Sequence, residues 1–121
     1  MEIYITTIYA KHGHEDQVAQ FYSDQEEELR KAKGYRGRQI MRARTGTMVE
    51  AVKKVLSAEE IAKHAEAAGP DGVHFVIIEQ WDSIDDKMTY SRSIDSGRNR
   101  DLIPHLLPEH SHEYYDDITP G

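Results

Sequence analysis

Two segments of the chain carry apolar, β-branched or aromatic side chains at both odd and even positions, and each is predicted to be a β-strand. They are residues 2–9 and residues 74–81. Side chains alternate between the two faces of a strand, so Ile77 on one face and Val76 and Ile78 on the other mean that both faces need cover. Helices on one side of a small sheet cover only one face. The pattern therefore predicts a second layer, most simply the sheet of another copy of the chain.

Helical spacing of apolar residues marks three further regions. Residues 14–33 form the first predicted helix, which Gly34 ends in a left-handed conformation. Residues 47–68 are predicted to form one or two short helices. A third helix begins at Asp82 or Ser83 and is interrupted at Gly97. The predicted inward positions of the first helix are Val18, Phe21, Tyr22, Gln25, Leu29 and Ala32, and those of the third are Ile84, Met88 and Ser91.

Two more strands complete the set of elements. Residues 36–44 alternate arginines with other side chains, which is typical of a strand at a sheet edge, where charge discourages unwanted pairing. The arginine-bearing face is predicted to hold Arg36, Arg38, Ile40, Arg42 and Arg44. A short leucine-rich helical piece, Leu102 to Leu107, precedes a last strand over residues 112–118.

The order of elements is βαββαβ, with a helical insertion between the second and third strands. This order predicts an α+β, ferredoxin-like domain: a four-stranded antiparallel sheet with helices on one face. The first and third strands, which are the most apolar, are central in that arrangement. The uncovered face of the sheet then predicts a homodimer with two sheets packed back to back, a dimeric α/β barrel. We expect residues 1–121 to form one domain, with residues 46–72 as the insertion.

Composition narrows the function further. A net charge of −7 disfavours binding to nucleic acid or to an anionic membrane, because both need basic patches. The absence of cysteine excludes disulfides, thiolate nucleophiles and cysteine metal sites. Neither a signal peptide nor a long apolar run is visible, so we expect a soluble, cytoplasmic protein.

Three stretches of the sequence resemble the antibiotic biosynthesis monooxygenase-like (ABM) group of dimeric α+β barrel proteins. They are residues 34–37, residues 78–83 and residues 102–107. The resemblance implies the fold predicted above. It also implies a cavity between sheet and helices, and an activity among those of the group, which includes oxygenases that need no cofactor. Residues 46–72 are the main departure, and they suggest either a lid over the cavity or an extension of the dimer interface.

The resemblance also suggests positions for a site. Trp81 matches a tryptophan that borders the cavity in the quinone-forming members, and Tyr90 and His105 lie in the region that borders it. Those members place an asparagine and a tyrosine where Ile77 and Lys87 stand here. The phenol-binding polar set of the group is therefore not reproduced.

Glu79 is the candidate catalytic base beside Trp81. A carboxylate among apolar side chains has its proton affinity raised by desolvation, which suits a base near neutral pH. The alternative is that Glu79 pairs with Arg38 or Arg42 of the neighbouring strand, as buried carboxylates usually do. Arg38 is in turn a candidate to bind an anionic substrate, and edge protection is the alternative for the arginines.

Seven histidines raise the question of a metal. The candidate ligands are His105, His110 and His112 with Glu109 and Glu113, but their spacing matches no established zinc or iron motif, and we expect no metal.

The sequence thus predicts Glu79 and His105 as catalytic residues, and Trp81, Tyr90 and Arg38 as substrate-binding residues. The predicted function is a monooxygenase without cofactor that acts on a small aromatic or quinol. The alternative is a non-oxidative isomerase or a small-molecule-binding protein of the same fold.

Overall fold

Four antiparallel strands form one sheet in the order β2-β3-β1-β4. The computed structural model describes residues 1–63, 69–93 and 96–121, with no side-chain description for residues 96–98. The predicted α+β architecture is confirmed, with the first and third strands at the centre and the second and fourth at the edges. The strands are β1 (Glu2–Ala10), β2 (Tyr35–Arg42), β3 (Val73–Trp81) and β4 (Leu106–Tyr115).

Helices connect the strands and cover one face of the sheet. Between β1 and β2 lie α1 (Glu15–Asp24) and α2 (Glu26–Leu29), and between β2 and β3 lie α3 (Thr47–Lys53) and α4 (Ala58–Lys63). The last connection contains α5 (Ile84–Ser93), α6 (Ser96–Leu102) and a 3-10 turn (Ile103–His105). Residues 64–68 and 94–95, which fall in predicted helices, lie outside the described residues.

The core lies between the sheet and helices α1, α2, α5 and α6. One cluster joins strand residues such as Ile8 and Phe75 to Val18 and Tyr22 of α1 and to Leu102 of α6. A second, smaller cluster consists of Leu29, Trp81 and Tyr90. The predicted stripe of the first helix is confirmed, because Val18, Tyr22, Gln25 and Leu29 are all buried.

The inward face of α5 differs from the prediction. Lys87 and Tyr90 are buried, whereas Ile84 and Met88 are 45% and 40% exposed. Apolarity marked the wrong face because the charge of Lys87 is balanced inside the protein by the carboxylate of Glu79 on β3. The predicted start of the helix is confirmed, since the Ser83 hydroxyl accepts a hydrogen bond from the backbone N–H of Asp86.

The last strand begins earlier than predicted. β4 starts at Leu106 and includes Pro108, so the leucine-rich piece is partly strand rather than helix. A proline fits here because β4 is an edge strand, where a missing N–H costs no pairing on the open side. The third helical region is divided into two pieces, as predicted, because α5 ends at Ser93 and α6 begins at Ser96, but the predicted position of the division is wrong, since Gly97 lies within α6.

Two glycines shape the junction of the first helices with β2. Gly34 has a φ of +82°, as predicted, and a Cβ there would overlap the side chain of Asp86. Gly37 has a φ of +153° and lies at a register shift between β2 and β3. The shift turns Tyr35 inward together with Arg38. The expected shared face is therefore wrong for Arg36, which binds the exposed Asp82 instead.

The face of the sheet away from the helices is also apolar. Its side chains are half-buried or exposed in the single chain, and the strand register places them side by side. The apolar members of this outer face are Ile3, Ile5, Met41, Val76, Ile78 and Tyr115.

Candidate functional site

A cavity of about 830 Å³ lies between the sheet and helices α1, α5 and α6. Its walls are largely apolar, whereas its floor on the sheet carries charged side chains. The main apolar wall residues are Phe21, Leu102, Ile103, Leu106 and Leu107, and the charged floor residues are Arg38, Glu79 and Lys87.

The carboxylate of Glu79 is bound by two cations. Arg38 donates to Oε2 from Nη2 at 2.7 Å and from Nε at 3.2 Å, and Lys87 Nζ donates to Oε1 at 2.8 Å. The indole N–H of Trp81 donates to the same Oε1 at 2.9 Å. The side chains of Arg38, Glu79 and Lys87 are only 3%, 4% and 11% exposed. We call these three residues the Glu79 cluster.

Strand register and helix spacing bring the cluster together. Arg38 of β2 is the direct partner of Glu79 of β3, on the face that the helices cover. Lys87 reaches the same carboxylate from the first turns of α5. Gln25, at the break between α1 and α2, accepts a hydrogen bond from Arg38 Nη1 at 3.0 Å.

The cluster carries more positive than negative charge. Burial alone would raise the pKa of Glu79, but the charges of Lys87 and Arg38, with the hydrogen bonds from Lys87 and Trp81, outweigh it and hold the pKa below its usual value. Glu79 is therefore ionised at neutral pH. Within the described residues, the ion pairs of Arg38 and of Lys87 are both with Glu79, so two cations share one anion.

Aromatic rings surround the ammonium group of Lys87. Its Nζ lies 4.8 Å from the ring centroid of Tyr4, 5.5 Å from that of Trp81 and 5.9 Å from that of Tyr90. Ring faces attract a cation, and the attraction is larger where water is excluded. The rings therefore add to the attraction that Glu79 exerts on the Lys87 ammonium group.

Three of the predicted site residues, Glu79, Arg38 and Tyr90, line the cavity. The contacts of Glu79 match the alternative of a paired carboxylate, with Arg38 as the partner. Arg42 pairs instead with Asp16 of α1, with 3.7 Å between Arg42 Nη1 and Asp16 Oδ1. The lowered pKa of Glu79 is the opposite of what a raised-pKa base needs.

The other two predicted residues, Trp81 and His105, do not line the cavity. Trp81 is fully buried beneath the floor, packed against Tyr35 and Tyr90, and is not among the lining residues. His105 is not among them either, and its Nδ1 lies 2.9 Å from Nδ1 of His14.

Sequence reasoning missed three residues that line the cavity. Lys87 reads as a solvated helix residue unless its buried partner is known. Tyr4 and His112 come from opposite ends of the chain, and only the pairing of β1 with β4 places them together. The Tyr4 hydroxyl and His112 Nδ1 are 2.8 Å apart. The strand pattern predicts which residues share a face, but it does not identify such a pair.

Other features of the described residues bear on ligands. Residues 1–63, 69–93 and 96–121 contain no group of three or more acidic, histidine or cysteine side chains arranged to hold a metal ion. Over the same ranges, no helix is long and apolar enough to cross a bilayer. Within the insertion, residues 46–63 and 69–72 are not among those that line the cavity.

No protein-family model and no curated protein matches the chain. Solved structures do. One described as an antibiotic biosynthesis monooxygenase superposes with a TM-score of 0.59 at 15% identity, covering 98% of this chain and 100% of that one. A Nitrosomonas europaea protein, provisionally described in the same words, has a TM-score of 0.65 at 12% identity, covering 98% and 91%. An anthrone oxidase-like protein has a TM-score of 0.63 at 14% identity, covering 94% of this chain and 42% of that one.

At these identities the likeness establishes the fold. The chain thus has the α+β fold of the proteins described as antibiotic biosynthesis monooxygenases, which confirms the resemblance drawn from the sequence. The fold by itself does not determine the reaction, which has to be argued from the residues of the cavity.

Proposed function

We propose that the protein is an enzyme that binds a small aromatic hydroxyl compound as its anion and lets it react with oxygen without a cofactor. The observation that carries the proposal is the excess positive charge of the Glu79 cluster at the floor of an apolar cavity. A phenol or quinol offers an apolar ring for the walls and one ionisable oxygen for the floor.

The two cations favour the ionised form of such a ligand. A positive charge within a few ångströms lowers the pKa of an acid, and the effect grows where water is excluded. Arginine has five N–H donors and lysine three. The bonds described above use three donors of Arg38 and one of Lys87, which leaves further N–H groups at the floor for a ligand oxygen.

Ionisation is the step that such an oxygenase has to promote. A deprotonated, electron-rich ring can pass electrons directly to oxygen. In the balanced reaction a phenol with a free ring position and O₂ give a quinone and water. The ring C–H and the O–H of the substrate supply the two hydrogens, and the substrate supplies the electrons. The protein contributes the cavity and the charges that stabilise the anion.

The predicted residues divide by role under this proposal. Arg38 and Lys87 bind the ligand oxygen, and Tyr90 forms part of the wall. Glu79 fixes the two cations in place rather than acting as the base, because its pKa is lowered. Trp81 supports Glu79 from below. His105 has no part in the reaction, since its contact is with His14.

The alternative is a non-oxidative isomerase or a binding protein for the same class of ligand. One observation favours it: Ile77, which stands where the quinone-forming members place an asparagine, is 1% exposed. A cationic floor would bind an aromatic anion whether or not oxygen reacts with it. Turnover of oxygen is therefore the point that distinguishes the two.

Oxygen uptake with a panel of phenols, quinols and anthrone-type ketones tests the proposal. We expect uptake with at least one compound, and we expect Ser91→Trp to abolish it, because Ser91 is half-buried on α5 and lines the cavity. Arg92→Trp is the matched control, since the next residue of the same helix is exposed. Absence of uptake with every compound, together with binding of one of them, would support the alternative.

We further propose that the protein is a homodimer through the outer face of the sheet. Ile5 and Ile78 are direct partners at the middle of that face and are half-buried in a single chain. An apolar face of several strands is larger than the patches that monomers usually expose.

Light scattering at micromolar concentration is expected to give twice the chain mass. Ile78→Lys, which places a charge in the middle of the interface, is expected to give the mass of a single chain. Ile84→Lys is the control, because Ile84 is equally apolar but exposed on α5. A single-chain mass for the unmodified protein would rule out this dimer.

A further inference from the structure

We propose that Tyr4 and His112 form the proton-transfer pair of the cavity, in which His112 removes a ligand proton through the Tyr4 hydroxyl. The inference rests on the proposed function, because it supplies the base that the Glu79 cluster lacks. It assigns a catalytic role to Tyr4, which sequence reasoning did not single out, and to His112, which it considered only as a metal ligand.

The pair is built by the register of the sheet. Tyr4 lies opposite Tyr114, and Thr6 lies opposite His112, so both side chains of the pair project from neighbouring strands on the helix-facing side. The Tyr4 oxygen and His112 Nδ1 are 2.8 Å apart, and both residues line the cavity. The ring of Tyr4 is also the nearest of the three rings to Lys87 Nζ, at 4.8 Å.

The charge state of Tyr4 gives the hydrogen bond its direction. Burial is the largest cause and raises the pKa of Tyr4; a hydrogen bond with Thr6 lowers it by less, and the nearby charges of Glu79 and Glu113 each add a smaller increase. Tyr4 is thus protonated at neutral pH and can donate to His112 Nδ1 in the tautomer whose Nδ1 carries no proton. The other ring nitrogen, Nε2, then carries the ring proton. Because His112 is an exposed residue, this proton can exchange with water.

Glu79 is not an alternative base. Its two oxygens already accept four hydrogen bonds, from Arg38, Lys87 and Trp81. Protonating it would leave two buried cations without their anion. Among the residues that line the floor, histidine is the side chain that exchanges protons near neutral pH.

Other titratable or charged groups surround the pair on several elements. On β4 the ring of His110 stacks on that of His112 at 5.9 Å, and Tyr114 packs on Tyr4 at 5.1 Å. The titratable or charged neighbours of the pair are Lys11, Glu79, Lys87, His110, Glu113 and Tyr114.

The proposed step conserves charge and moves no electrons between molecules. An acidic ligand proton passes to the Tyr4 oxygen while the Tyr4 proton passes to His112 Nδ1. The ligand keeps the electron pair of the broken bond as an anion beside Lys87. The imidazolium then releases its Nε2 proton to water. The starting tautomer returns when Nε2 takes up a proton from water and Nδ1 gives up its own, so one proton is released for each ligand proton removed.

Hydrogen exchange in the absence of oxygen tests this step separately from any oxygenation. The probe is 2-tetralone, an aromatic ketone whose ring-adjacent CH₂ group is a carbon acid, in deuterated buffer with NMR detection. We expect the protein to accelerate exchange over buffer, and Tyr4→Phe to slow it by about a hundredfold or more, since acid–base catalysis contributes about 10²–10⁴.

The most informative variant is His112→Asn. Asparagine places a hydrogen-bond acceptor near the position of Nδ1 but does not take up a proton. If His112 only positions Tyr4, we expect this variant to exchange as fast as the unmodified protein. If His112 carries the proton, we expect exchange to be slow and its rate no longer to rise with pH. His12→Asn, at an exposed histidine bound to Asp71, is the matched control.

The inference is overturned if the protein does not accelerate exchange, or if either Tyr4→Phe or His112→Asn exchanges at the rate of the unmodified protein. Failure of the oxygenase proposal gives a different pattern. Exchange would then depend on the pair while no compound gave oxygen uptake. The binding constant of 2-tetralone, from the same spectra, is expected to change less than about twofold in both variants, as a loss of catalysis rather than of binding requires.

Discussion

Replacing Glu79 with glutamine is expected to lower the free energy of unfolding by about 3–5 kcal/mol, the usual cost of breaking a buried ion pair from one side. The substitution keeps the shape of the side chain but leaves Arg38 and Lys87, which are 3% and 11% exposed, without their anion. Urea denaturation followed by circular dichroism measures the loss.

Glu50→Gln provides the control for that measurement. Glu50 also pairs with a lysine, Lys53 at 3.3 Å, but both side chains are largely exposed, at 71% and 51%. Exposed pairs contribute little to stability, so the midpoint of unfolding is expected to stay close to that of the unmodified protein. Equal losses in the two variants would mean that the Glu79 cluster is not a buried ion pair in solution.

The ion pairs of Glu79 also predict how the free energy of unfolding depends on pH. The pKa of Glu79 is lower in the folded chain than the ordinary value of 4.5. A lowered carboxyl pKa contributes stability above the unfolded value, and the contribution is lost as the pH falls through the folded pKa. The difference in unfolding free energy between the unmodified protein and Glu79→Gln should therefore narrow at acid pH.

Replacing Lys87 with methionine is expected to weaken the binding of 4-nitrophenolate by about ten- to a hundredfold. Removal of the lysine leaves one cation and one anion, so the floor loses its excess positive charge. A hydrogen bond to a charged group contributes about 1.5–3 kcal/mol, which corresponds to this range of affinity. Titration followed by the absorbance of the dye, at a pH where it is ionised in water, gives the dissociation constant.

Lys87→Met separates the role of the cluster in binding from its role in folding. Glu79 keeps Arg38 as a partner, so this variant should unfold much closer to the unmodified protein than Glu79→Gln does. Lys54→Met, at an exposed lysine of the insertion, is the control for nonspecific attraction of the dye. Unchanged dye binding in Lys87→Met would contradict the anion-binding floor.

The strands and their order could be predicted from the sequence because each strand is marked by the residues within it. Apolar residues on both faces of β1 and β3 marked the central strands, and the arginines of β2 marked an edge. The stripe from Val18 to Leu29 likewise predicted the buried face of the first helix. These patterns report burial, and burial in this fold follows from hydrophobicity.

The site was predicted only in part because its polar residues are buried through contacts with one another, which a pattern of hydrophobic positions does not show. Hydrophobicity placed Ile84 and Met88 inside, but Lys87 could take that face since Glu79 was there to receive it. The shift at Gly37 brought Tyr35 inward and left Arg36 outside, which no alternation over β2 could indicate. The partnership of Tyr4 with His112 depends on strand pairing across nearly the whole chain.

The break between α1 and α2 presents Gln25 to Arg38, so the Glu79 cluster joins four separate segments: the first helical pair, β2, β3 and α5. Loss of the Glu79 carboxylate at its centre thus alters folding and binding together. The wall residues Phe21, Leu106 and Leu107 do not link ligand binding to folding in this way. Selection for new ligands, natural or in the laboratory, can therefore proceed through the walls while the floor stays constant.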